Sequence, residues 1–148
     1  MRKEKQKDAS TDLLQELYHT AQMGLEATQI VMPKVKDEGL KHAIRQQGNS
    51  YKKISAKSAQ MLAQNHQVPQ KEGMMEKVGL WGSIQMNTIA DDSTRHLAEM
   101  MINGTNMGIV DMTKKLNETE GFHGTARHLA EEYIQSEQNH IESMKQYL

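Results

Sequence analysis

Residues 10–66 read STDLLQELYHTAQMGLEATQIVMPKVKDEGLKHAIRQQGNSYKKISAKSAQMLAQNH. At 100° per residue, Leu14, Leu17, Ala21, Gly24, Leu25, Thr28 and Met32 share one helical face. Ser10, Thr11 and Asp12 are good N-caps in front of that stripe. Pro33 closes it, because proline cannot continue a helix. A second stripe begins near Asp37, carries Leu40, Ile44, Gln47, Tyr51, Ile54, Ser58 and Leu62, and runs out near His66. Only a few residues separate the two, so the spacing predicts antiparallel neighbouring helices.

The rest of the chain reads outward from this pair. Residues 67–73, QVPQKEG, form a linker. A weaker helical stretch spans Met74–Ala90, with Met75, Val78, Trp81 and Met86 as apolar members, and Gly79 and Gly82 lower its propensity. Asp91, Asp92 and Ser93 signal a turn and cap. A third long helix then runs to about Glu118, with Leu97, Met100, Met101, Gly104, Met107, Gly108 and Asp111 on one face. Gly121 ends that hairpin, and a fourth helix runs from Gly124 to the end through Ala126, Leu129, Tyr133, Glu137, His140 and Met144. No β pattern competes. Hairpin, long connection, hairpin is the ferritin-like way of wiring a four-helix bundle. We therefore expect an all-α, ferritin-like four-helix bundle over residues 9–148, two antiparallel hairpins joined by a long connection with a short helix. Residues 1–8 are expected to be disordered.

Composition narrows the function. The 148 residues suit one domain, and the absence of Cys excludes disulfide scaffolds, thiolate metal sites and thiol nucleophiles. Lys+Arg 18 against Asp+Glu 19 argues against a nucleic-acid partner. The charged start, MRKEKQKD, lacks the apolar stretch expected of a signal peptide, and no apolar run is long enough for a transmembrane segment. The expectation is a cytoplasmic protein. Twelve Met against one Trp, four Tyr and one Phe predict a core with few rings, filled by flexible thioethers. A second apolar line, Ile102, Ile109 and Leu116, runs along the third helix. Met74–Ala90 is expected to cover it, and a homodimer stays open.

The residues that could carry chemistry are few. Glu137 and His140 form an E-x-x-H whose i, i+3 spacing puts both on one face, within about 40° of the inward stripe. Inward Glu and His must be paired, hydrated or given a metal. Glu16 and His19 repeat the string, but they and Glu26 lie on the outer side of the first stripe and are expected to be solvated. Asp111 is the only inward carboxylate of the third helix. The mid-helix inward positions Ala21, Gly24, Tyr51, Ile54, Gly104 and Gly108 supply no ligand, too few for a di-metal centre. Gly24, Gly48, Gly104 and Gly108 suggest close helix approach, or else a small internal pocket. RHLAE at 95–99 recurs at 127–131, an offset that places Thr105 and Gly108 where Glu137 and His140 stand.

With these residues in view, the chain resembles the ferritin-like superfamily, more the rubrerythrin-like and related small bacterial bundles than ferritin itself. KDEGL at 36–40 is similar to the first hairpin corner of that group, and EQNHIESM at 137–144 to its last helix, where E-x-x-H supplies two metal ligands. Aligned through the turn, Ala21 stands at the family's first ligand Glu, and Ile54 and Lys57 at the second-helix E-x-x-H. The first hairpin also looks like spore-coat proteins of the Coat F type, which implies a structural or packaging role in a Gram-positive bacterium. The resemblance therefore implies a non-enzymatic structural or interaction module without a complete di-metal centre, no catalytic residue and no cofactor. Its protein partner is not identified by the sequence. The alternative is a metal-binding protein that holds Fe, Mn or Zn with Glu137 and His140, completed by Asp111 or a second subunit.

Overall fold

A computed structural model describes residues 2–70, 74–119 and 124–148, without the side chains of Gln6, residues 74–78 and Trp81. The apolar roles expected of Met75, Val78 and Trp81, and the stop expected at Gly121, lie outside the described residues. The described chain forms α1 (Arg2–Val31), α2 (Glu38–Gln64), α3 (Met74–Ala90), α4 (Thr94–Glu118) and α5 (Thr125–Met144), with 3-10 turns at Met32–Lys34 and Lys145–Tyr147. No strand occurs among the described residues. None of the helices is long and apolar enough to cross a membrane, among the described residues.

The helix ends follow their sequence signals, with one exception. The Asp37 side chain accepts a 2.8 Å hydrogen bond from the Leu40 amide and caps α2. Ser93 does the same for α4 through the His96 amide. Pro33 sits inside the 3-10 turn, where the Val35 amide donates to the Met32 carbonyl at 3.2 Å. The exception is α1, expected to begin at Ser10–Asp12 but observed from Arg2. Arg, Lys, Glu and Gln are good helix formers, and no breaker precedes Leu13, so the helix propagates past the available caps into solvent.

The contacts run in the order expected of neighbours pointing in opposite directions. Gly24 lies under the Tyr51 ring and Gly48 against Thr28. Nearer the α1 N-terminus, Gln15 Nε2 donates to the Val68 carbonyl at 2.9 Å. Between α4 and α5, Gly108 meets the Tyr133 hydroxyl, and Arg127 donates to the Leu116 carbonyl at 3.2 Å. Helix α2 also packs on α5, and α3 on α1.

The apolar core is in two parts. One holds Leu14, Leu17, Ile54, Leu62, Met112 and Leu129. The other holds Val31, Leu40, Ile44, Ile84, Leu97 and Met144. Where the clusters meet, each of the four long helices carries residues that belong to neither: Gly24 and Thr28 on α1, Gln47 on α2, Thr105 on α4 and Glu137 on α5. A polar layer thus crosses the waist of the molecule. The second line of α4 is partly covered by α3, since Ile102 packs in the cluster that contains Ile84 and Leu80.

Candidate functional site

The waist is a hydrogen-bonded network built from three helices. Gln47 and Tyr51 are one turn apart on α2 and point the same way. The Tyr51 hydroxyl donates to Glu137 Oε2 at 2.6 Å. Gln47 Nε2 donates to the Tyr51 hydroxyl and to Thr105 Oγ1, each at 2.8 Å, and lies 3.4 Å from Glu137 Oε1. Thr105 Oγ1 in turn donates to the Met101 carbonyl at 2.7 Å. The Gln47 Oε1 atom is buried without a hydrogen-bond partner among the described residues.

Burial dominates the electrostatics. It pushes the Glu137 carboxyl up to about 7, against the opposing pull of hydrogen bonds from Tyr51 and Gln47. Tyr51 is raised well above its ordinary 10 by burial first, then by the charges of Glu137 and Tyr133. Tyr133 is raised by burial, then by Glu137, Asp111 and Glu16.

The sequence-derived candidates do not converge. His140 is half-buried, and its Nε2 lies 3.0 Å from Ser50 Oγ and 3.3 Å from Ser136 Oγ. Desolvation lowers its pKa. His140 thus engages these serines, whereas Glu137 is held by Tyr51 and Gln47. Asp111, expected to point inward, is exposed. Among the described residues no group of three His, Asp or Glu side chains is placed to hold a metal ion.

A cleft of about 660 Å³ opens above the network, between α1, α3 and α4. Tyr51, Tyr133 and Glu137 reach its floor, and Asp111 lies on its wall. Glu16 and His19, expected to be solvated, are half-buried and line it. The helical angle places them away from the α2-facing stripe. It does not show that α3 and α4 build a second wall on that side of α1.

The glycines divide by role. A Cβ on Gly24 would lie 2.5–2.8 Å from the Tyr51 ring, and one on Gly108 would lie 2.6 Å from the Tyr133 hydroxyl. These two permit the tyrosines to lie against helix backbone. A Cβ on Gly104 would meet nothing within 4 Å, and this residue borders the cleft. The expected Met filling is likewise split: Met101 is buried, but Met107 is 67% exposed at the cleft edge.

Sequence reasoning does not single out Gln47, Tyr51 and Thr105 as site residues. A signal exists: all three are hydrogen-bonding residues inside otherwise apolar helical stripes, and Thr105 occupies the repeat position of Glu137. Comparison with protein-family models, curated proteins and solved structures gives no match for the chain.

Proposed function

We propose that the chain is a ferritin-like four-helix bundle, α1–α2 and α4–α5 being its hairpins and α3 lying in the long connection, that works as a non-enzymatic structural or interaction module. The observation that supports this is the state of the Glu137 carboxylate. One oxygen accepts from Tyr51 at 2.6 Å and the other faces the Gln47 amide at 3.4 Å. A carboxylate engaged in this way has a role in cohesion without a metal. A centre completed by His140 and Asp111 would need one side chain to leave Ser50 and Ser136 and the other to move in from an exposed site. The same reading makes the protein cytoplasmic. A homodimer is part of the same reading, with the exposed Met86, Ile89, Met107 and Val110 as the apolar side chains it would use.

Metal analysis of untagged protein beside Glu137→Ala tests the reading. Negligible Fe, Mn and Zn in both is the expected result. Stoichiometric metal that disappears in Glu137→Ala overturns it.

A further inference from the structure

We infer that the cleft between α1, α3 and α4 is a binding site for a small organic cation, a primary ammonium carried on an apolar body, with the ammonium seated at the Tyr133 hydroxyl. This goes beyond a purely structural role and does not depend on the metal result.

Size comes first. A volume of about 660 Å³ lies within the range of pockets that enclose small organic molecules. Its sides are apolar, formed by Met23, Ala27 and Val31 of α1, Leu80 and Ile84 of α3, and Met100 of α4. Such walls accept a hydrocarbon body, and Met side chains adapt to its shape.

Charge comes second. Glu16, Glu99, Asp111 and Glu137 border the cleft together with His19 and His96, and no Lys or Arg is found among its described lining residues, so carboxylates outnumber the groups that can carry positive charge. The carboxylates do not cluster as a metal ion requires, among the described residues. An ammonium needs less: one or two charge-assisted acceptors and a ring face nearby.

The Tyr133 hydroxyl supplies the independent observation. The residue is only 2% exposed and lines the cleft. Burial and the charges of Glu137, Asp111 and Glu16 act on its hydroxyl, with no hydrogen bond among these influences. The hydroxyl is not one of the fully enclosed polar atoms, so it opens onto the cleft, where water or the polar group of a ligand can meet it. An ammonium would accept the phenol as a neighbour, donate to its oxygen and balance the surrounding carboxylates. A neutral alcohol of the same length would satisfy the phenol alone, and an anion would be repelled.

Calorimetric titration of the full chain with n-hexylammonium chloride, 1-hexanol, sodium hexanoate and Mn²⁺ is the test. Saturable binding of one hexylammonium per chain is expected, at least about tenfold tighter than hexanol, with hexanoate not binding. Gly104→Phe fills open space at the cleft edge, and should weaken hexylammonium about tenfold or more while the circular dichroism spectrum is retained. Should that variant unfold, Asp111→Asn replaces it, since an exposed side chain can be neutralised without disturbing the core; a loss of several-fold is expected. Absence of saturable hexylammonium binding overturns the proposal. So does equal binding of hexanol, tighter binding of Mn²⁺, or hexylammonium affinity unchanged in the folded variants.

Discussion

The Tyr51 hydroxyl of α2 reaches across the core and donates a 2.6 Å hydrogen bond to Glu137 Oε2 of α5. The two residues are 4% and 1% exposed. Tyr51 packs its ring in one apolar cluster while Glu137 belongs to neither, so their bond fixes the register of α2 against α5 at the edge of the polar layer. A buried polar pair of this kind specifies one arrangement more than it adds stability.

Tyr51→Phe removes the donor and leaves a buried carboxylate with only the long contact to Gln47. Urea unfolding at pH 8 should show a loss of about 1–3 kcal/mol. Replacing the partner as well, in Tyr51→Phe/Glu137→Leu, should recover most of that loss, because the orphaned charge is gone. A double variant that loses the sum of the two single effects would show that the pair itself contributes net stability.

Two glycine substitutions should have opposite signs. In Gly24→Ala the new methyl meets the Tyr51 ring at 2.5–2.8 Å, and the ring cannot retreat without disturbing its bond to Glu137. A loss of about 1–3 kcal/mol is expected from such overpacking. Gly104→Ala meets nothing within 4 Å. It should stabilise α4 by about 0.5–1 kcal/mol, because alanine has less backbone entropy to lose in a helix. Thermal melts of the two variants against the parent protein check both signs.

Most helix boundaries are legible in the sequence because caps and breakers act locally: Asp37, Ser93 and Pro33 each end or begin a helix where their chemistry requires. The start of α1 is not, because a strong cap at Ser10–Asp12 does not stop a helix when good helix formers precede it. Within the site, the inward placement of Glu137 is legible from its angle on α5. The placement of His140 is not: its angle lies closer to the stripe centre than that of Glu137, yet the side chain is half-buried and engages Ser50 and Ser136, because an angle on one helix fixes a face and not the partners a neighbouring helix brings to it. Glu16 and His19 escape a reading by periodicity, which describes one helix, whereas the cleft they line requires three. Gln47 and Thr105 are visible as polar interruptions of apolar stripes, but their shared layer emerges only when α2, α4 and α5 are aligned in space.

Helix α2 ends on a non-glycine residue in the left-handed region. His66 has φ 59°, and the chain closes with Gln67 N donating to Leu62 O at 2.8 Å and His66 N to Ala63 O at 3.0 Å. This is the double bond pattern that glycine normally completes. His66→Gly relieves the contact between Cβ and the following carbonyl and should stabilise the protein by up to about 1 kcal/mol, read as a higher urea midpoint with an unchanged slope. A lower midpoint would mean that the His66 side chain contributes more than its backbone costs.

The pH dependence of stability should carry the signature of Glu137. Burial raises its pKa from the ordinary 4.5 to about 7. A carboxyl with a higher pKa in the folded state holds its proton more tightly there than in the unfolded chain. Its contribution is therefore fully present below about 4.5 and is lost as pH rises to about 7, a fall of roughly 3 kcal/mol for one group. His140 works in the opposite direction: its pKa is lowered below the ordinary 6.5, so its contribution is present above 6.5 and is lost on acidification. Glu137→Gln removes the first slope and leaves the second. Urea midpoints measured from about pH 4.5 to 8 should fall with rising pH across the Glu137 window in the parent protein by more than in Glu137→Gln, where the remaining trend rises towards pH 6.5. Parallel profiles for the two proteins would show that Glu137 titrates at an ordinary value and that its layer is wetter than its 1% exposure indicates.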